Sequence, residues 1–293
     1  MKNGIEIRLL FLYEEMVQAE DLQRIVWSGS ETDIVPAHLS MAISHNGGVM
    51  LGAFDQGKLV GYLMGFLGTD AESPDRIAMT CLKHCSHQVG VHPAYRDRGI
   101  GFALKRAQRE EVLKQGIRLV TWTYDPLLSR NAHLNIRRLG AVCDTYVQRA
   151  YGEMRDALNA GVESDRFQVD WWVTSHRVSS RLEQARKPLT MAHYLEAGAE
   201  TVNPSILDDA GRLVPGEAIY APEGVIALVE IPPDFQALRQ LDLGVAKRWR
   251  EHSREVFISV FAAGYLVTDF LFLKGEEPPR SYYVLTHGEG KLG

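Results

Sequence analysis

Two arginines and two glycines fall within six residues, Arg96-Asp97-Arg98-Gly99-Ile100-Gly101, between an apolar run ending at Val91 and a helical repeat that opens at Ile100. A turn of this composition at a helix start suits an anion. The first N–H groups of a helix have no partner within it and carry the positive end of its dipole, and glycine lets the backbone approach a phosphate that a side chain would hold away. Arg96 and Arg98 add positive charge at the same place. The competing reading is an ordinary strand-to-helix turn with solvated arginines. No third glycine completes a G-x-G-x-x-G spacing and no P-loop lysine follows, which disfavours nicotinamide dinucleotides and ATP.

A second cluster lies just upstream, where Cys81, His84, Cys85 and His87 supply metal-ligand chemistry in seven residues. The segment reads as a strand, however, and alternate strand residues face opposite ways, so no metal is expected there. With Cys143 the thiols number three, an odd count without metal-type spacing or an evident signal peptide, which points to reduced cysteines and a cytoplasmic setting.

The elements that must position the loop follow from periodicity. A short strand at Ile5–Leu10, an amphipathic helix over Tyr13–Trp27 and a second helix from Pro36 to Ser44 come first. Val49–Phe54 and Lys58–Leu67 flank Asp55-Gln56-Gly57 as a hairpin. A strand within Ile77–Val91 leads into the loop, and a helix with Ile100, Ala103, Leu104, Ala107 and Val112 on one face runs to Gln115 and stops at Gly116. Strands at Ile117–Tyr124 and Ala141–Tyr151 enclose a short helix, Asn131–Leu139, and Phe167–Thr174 is a further strand. This order implies an α/β mixed sheet with helices on its faces. Residues 181–202 lose β-branched residues and read as a connector between a domain at 1–180 and a smaller α/β unit at 203–293. That unit shows a strand at Val225–Ile231, one long helix from Phe235 past Val256, and strands at Tyr265–Leu273 and Ser281–Leu285.

With 293 residues, 45% of them hydrophobic and 24% charged, the chain has the composition of an ordinary globular protein. A formal net charge of −5 gives no general field for nucleic acid, and no apolar run approaches the roughly 20 residues that cross a bilayer. Neither a nucleic acid nor a membrane is expected as a partner.

The run from Val89 to Leu104 resembles the acyl-CoA motif of the GNAT superfamily, [Q/R]-x-x-G-x-[G/A] after a strand, with Arg96, Gly99 and Gly101 at its defining positions. The element order from Ile5 to Thr174 is similar too. The resemblance implies a GNAT-like fold and an acyl-CoA-dependent N-acyltransferase, with acetyl-CoA or another acyl-CoA as co-substrate and no metal. It implies that the backbone of Arg98, Gly99, Ile100, Gly101, Phe102 and Ala103 holds the pyrophosphate, that the Val89 to Val91 edge holds the pantetheine arm, and that an N–H near Val89 polarises the thioester carbonyl.

Attack on a thioester needs a neutral amine, so a base must take a proton. Members of the family often carry a carboxylate on the strand before the loop; Cys85 stands there, and His87, next on the same face by alternation, is the candidate base. The alternative is a hydrogen-bonded sheet histidine. The family's acid is a tyrosine four residues before a Gly-Phe pair, where this chain has Ile136 before Gly140 and Ala141. Tyr124 is the nearest substitute by position, against the reading of a strand-end tyrosine that only packs. Asn131 or Ser129 is a candidate cofactor contact. The implied reaction moves an acetyl, alternatively a succinyl, group to a primary amine of a small metabolite such as an amino acid. A non-catalytic acyl-CoA binding or sensing protein is the alternative. The 203–293 unit is expected either to wall the acceptor pocket or to serve stability or homodimer formation.

Overall fold

A computed structural model describes residues 4–27, 31–70, 77, 81–152, 161–183, 187–288 and 290–291. The part of the expected strand at residues 78–80 lies outside them. The chain forms two compact units, and the division falls inside one strand, Leu119–Tyr124, after Trp122. The composition points to a connector at 181–202 instead. That stretch contains the end of a helix, His176–Leu182, another helix, Met191–Glu196, and the short strand Glu200–Thr201, all within the second unit. Small residues and charge there mark short elements rather than a linker.

The first unit contains strands β1 (Glu6–Leu9), β2 (Val49–Asp55), β3 (Lys58–Thr69), β4 (Leu82–Val91) and the first residues of β5 (Leu119–Tyr124), in that spatial order. The pairs are antiparallel except β4 with β5, which is parallel. The β2–β3 hairpin turns on Gln56 and Gly57, both at positive φ, the backbone a two-residue hairpin turn asks for. Helices α1 (Tyr13–Val26) and α2 (Ala37–His45) bury Met16, Ala19, Leu22, Val26 and Ala37 against Met50, Phe54, Tyr62 and Met64.

Helix α3 (Ile100–Lys114) covers β strands with a mixed layer. Ile100, Leu104 and Val112 are buried, but so are Lys105 and Gln108, and from β4 His84 and Ser86. Gly65 of β3 makes room for this layer: a Cβ there would lie 2.2 Å from His84 Nε2 and 3.1 Å from Gln108 Nε2.

In the second unit the sheet order is β7 (Arg166–Trp172), β6 (Val142–Val147), β10 (Tyr265–Leu273), β11 (Arg280–His287), β9 (Ile226–Ile231) and β8 (Glu200–Thr201). An aromatic core holds it together, with Phe167 4.6 Å from Phe257 and 5.3 Å from Tyr283 between ring centroids. The helix expected as one piece from Phe235 is two, α7 (Phe235–Leu241) and α8 (Leu243–Ala262). Asp242 breaks it: the residue is extended (φ −151°, ψ 97°), and its carboxylate accepts the Val245 N–H as the cap of α8. The short helix after β5 starts at Ser129, and its last six residues, His133–Arg138, form a wider π turn.

His84 gives the first unit a pH dependence. It is fully buried with neither ring nitrogen hydrogen-bonded, and burial, followed by repulsion from Lys105, lowers its pKa to about 4. An unfolded histidine takes its proton near ~6.5. Stability is therefore full above that pH and is lost as pH falls towards about 4, by roughly 3 kcal/mol in total. Urea titrations of the protein and of His84→Gln at about pH 7 and about pH 4.5 should show a smaller acid loss in the variant. Equal losses would remove His84 as the cause.

Candidate active site

Strand β4 pairs with β3 along its whole length but with β5 at two positions only, His84 opposite Val120 and Cys85 opposite Thr121. Beyond them the two strands part. The His92 N–H donates to the Val60 carbonyl at 2.9 Å, on the β3 side. Strand N–H groups alternate in direction, so those of Val91 and Val89 point to the other edge, the one that β5 has left. Val89 and Val91 thus offer backbone groups to an added extended chain, as a strand edge does.

His87 owes its position to a bulge. Ser86 faces Gly65 and Gln88 faces Met64, so His87 is an extra residue of β4 with no counterpart on β3. Bulges of this kind re-aim a side chain and recur beside active sites. His87 lies at the surface with its ring 5.8 Å from that of Phe66, and partial burial of the imidazole lowers its pKa below the usual histidine value. It is neutral at neutral pH, the state a base requires. His84, expected on the opposite face, is buried among Gly65, Lys105 and Gln108, while Cys85 is half-buried. The sequence offered no sign of the bulge.

Beyond β4 the chain makes one tight turn at Pro93–Tyr95 and enters α3 through Asp97 and Gly99, both at positive φ. Gly99 is the residue before the helix, with φ 78°, a conformation cheap only for glycine. Ala103 makes the first intrahelical bond, its N–H donating to the Gly99 carbonyl at 3.0 Å. The amides of Ile100 and Gly101 precede that bond at the positive end of the helix, which fits an anion; the Ala103 amide, expected to join them, belongs to the helix ladder. Arg96 and Arg98 are exposed, with the Arg98 guanidinium 4.7 Å from the Tyr95 ring centroid. Tyr95 in turn donates to Asp55 Oδ2 at 2.9 Å, which ties the loop to the β2–β3 hairpin. This anchor was not read from the sequence, since nothing local connects residues 40 apart.

The remaining predicted residues lie in the second unit. Tyr124 is buried, its hydroxyl 3.1 Å from that of Tyr283, which donates to the Pro126 carbonyl, and burial raises its pKa well above 10. Its placement is that of a packing tyrosine. Ile136 is fully buried. Ser129 is buried as well, and its hydroxyl is engaged by the Pro232 carbonyl and Ser281. Asn131 is half-buried in the first turn of the short helix. Among the described residues no group of three or more His, Cys, Asp or Glu could hold a metal, and no helix is long and apolar enough to cross a membrane.

Residues 13–140, which include β4, the loop and α3, match the acetyltransferase (GNAT) family. The chain carries a GNAT acetyltransferase domain. The match makes residues 13–140 an N-acetyltransferase domain and leaves residues beyond 140 outside it. No curated protein matches the chain. Solved structures that it is similar to include a ribosomal-protein alanine N-acetyltransferase from Escherichia coli (13% identity, 58% of this chain and 94% of that one, TM-score 0.43). Others are an N-acetyltransferase from Staphylococcus aureus (11%, 59% and 100%, TM-score 0.45) and a putative acetyltransferase from Salmonella typhimurium with acetyl-CoA (15%, 59% and 96%, TM-score 0.43). Likeness at this level carries nothing about the acceptor.

If His87 is the base, activity follows its neutral form. The rate should hold above its lowered pKa and fall as acid protonates the ring, with the limb below the usual ~6.5 of histidine. His87→Gln should lose on the order of 100-fold in kcat with coenzyme A affinity kept, and should lose that limb. A variant with wild-type rate and pH profile would make His87 an ordinary sheet residue.

Proposed function

We propose that the protein transfers an acetyl group from acetyl-CoA to the primary amine of a small metabolite such as an amino acid. The observation that carries this reading is the juxtaposition in one strand of an open backbone edge at Val89 and Val91 with a bulged, exposed His87, continuous with a helix start that opens on Gly99, Ile100 and Gly101. The helix start and Arg96 and Arg98 receive the pyrophosphate; Val89 and Val91 hydrogen-bond the pantetheine arm. The bound donor supplies an activated acyl carbon.

The chain's residues do the rest. The Val89 N–H is the donor available to the thioester oxygen as it gains negative charge, and preorganised donors of this kind contribute about 3 kcal/mol each. His87 takes the proton released when the amine nitrogen bonds to the acyl carbon and the carbon–sulfur bond breaks. Tyr124 has no part in protonating the thiolate, because its hydroxyl is buried and bonded to Tyr283. Asn131 is retained as a donor contact on the family resemblance alone.

A non-catalytic acyl-CoA binding or sensing role is the second reading, favoured by the buried Ile136 where the family places its acidic tyrosine. Thiol release from acetyl-CoA across a panel of amino acids, amino sugars and polyamines separates the two: amine-dependent release supports transfer, and binding without release supports sensing.

The loop assignment has its own test. Gly101→Val puts a branched side chain on the first turn of α3, among the amides assigned to phosphate. Coenzyme A binding by calorimetry should weaken by at least tenfold, about 1.4 kcal/mol. Unchanged affinity would sink the assignment.

A further inference from the structure

We propose that Lys105 is the spacer that fixes the width of the fork between β4 and β5 and so keeps the Val89–Val91 edge open to the donor. The inference rests on the reading of that edge as the donor site, and it assigns a positioning role to a residue that the motif leaves out.

The register locates the spacer. His84 pairs with Val120 and Cys85 with Thr121; had the ladder run on, Ser86 would face Trp122. The side chains of both residues meet that of Lys105, which reaches them from α3. Its Nζ donates to Ser86 Oγ at 2.8 Å on one strand and lies 3.5 Å from the centroid of the Trp122 ring on the other. Gln108 Oε1, one helical turn along α3, accepts from the same nitrogen at 3.1 Å. The side chain is 2% exposed, and its neighbour Leu104 is fully buried, so both lie on the packed side of α3. The amine therefore sits at the vertex of the fork, held to both arms.

Physical cost argues for a role. Burying an amine is expensive, and burial lowers the Lys105 pKa well below its ordinary value. An apolar residue would fill a helix–sheet interface without that cost. A lysine adds what a branched apolar side chain lacks: a long, straight stem that crosses the layer, and a head that bonds one strand while resting on the aromatic face of the other. Parallel strands that have started to pair gain backbone hydrogen bonds by continuing, and unpaired strand edges seek partners. The bulge at His87 interrupts the ladder just beyond Cys85, and Lys105 is the side chain that bridges the next two residues in line and holds their spacing.

The test uses the full chain with three substitutions. Lys105→Ala removes the spacer; Lys105→Leu shortens it while keeping the interface apolar, and serves where the alanine variant does not fold; Lys105→Met keeps the length without the charge. Circular dichroism establishes folding, and calorimetry with coenzyme A and the separate KM values for acetyl-CoA and amine read the site. The expected result is coenzyme A affinity at least tenfold weaker, about 1.4 kcal/mol, in the alanine or leucine variant, with KM for acetyl-CoA raised and that for amine little changed. Lys105→Met should stay within about threefold of wild type, well under the 1.4 kcal/mol that a tenfold loss represents. Wild-type affinity in the short variants, or a methionine variant as weak as they are, overturns the spacer.

Amide hydrogen exchange on the ligand-free protein is independent of the donor reading. In the short variants the β4 amides just beyond Cys85 should gain partners on the last residues of β5 and exchange more slowly; unchanged exchange also overturns the spacer. Failure of the wild type to bind coenzyme A, with exchange slowed as described, would overturn the donor reading and leave the spacer standing.

Discussion

Backbone hydrogen-bonding groups on a strand need partners on both edges, and β4 has them on both only as far as Cys85. From Ser86 to Val91 it is a strand with one neighbour. Several features of the first unit fall into place around that deficit. The bulge at His87 lies at its start, the turn into α3 lies at its end, and α3 runs back along it to place Lys105 at the vertex. A substrate that completes the edge by backbone pairing needs little from side chains, which accounts for a site whose predicted contacts are mostly main chain.

The second unit is held by a different kind of interaction. Arg250, 2% exposed, donates to Asp125 at 2.5 Å, with Arg166 3.9 Å from the same carboxylate. Asp165 takes Arg254 and the Tyr146 hydroxyl. Paired charges of this kind add little net stability against an apolar core of the same shape, but removing one member leaves a buried charge and costs about 3–5 kcal/mol. They tie the segment after β5 to α8, 125 residues away in the chain. The short helix with Ile136 and Asn131 follows that segment directly.

Elements with a strong period were legible in the sequence, and so was the loop. The hairpin at Gln56-Gly57, the helix from Ile100 and the stop at Gly116 rest on local residue chemistry, and Gly99 was identifiable because a left-handed residue before a helix calls for glycine. What escaped depends on distance. Asp242 divides α7 from α8 through a cap that apolar spacing hides. The bulge at His87 is a property of two strands, invisible in one of them. Lys105 and Gln108 fall outside the apolar stripe of α3 and are buried all the same, because the face of the helix that meets the sheet is wider than that stripe. Tyr124 was a strand-end tyrosine whose partner, Tyr283, lies 159 residues on.

The two faces of the first unit's sheet are unequal in adhesion. The α1–α2 side closes with methionine, leucine, phenylalanine and alanine, whereas docking α3 means dehydrating an imidazole, an amine and an amide, with neither nitrogen of His84 and not the Gln108 Nε2 recovering a hydrogen bond. Each square ångström covered on that side returns less free energy. Helix α3 is thus the looser of the two coverings. It is also the element that carries the anion loop at its start, so the softness falls on the face that a donor must enter and leave, while the α1–α2 face keeps the sheet itself in register.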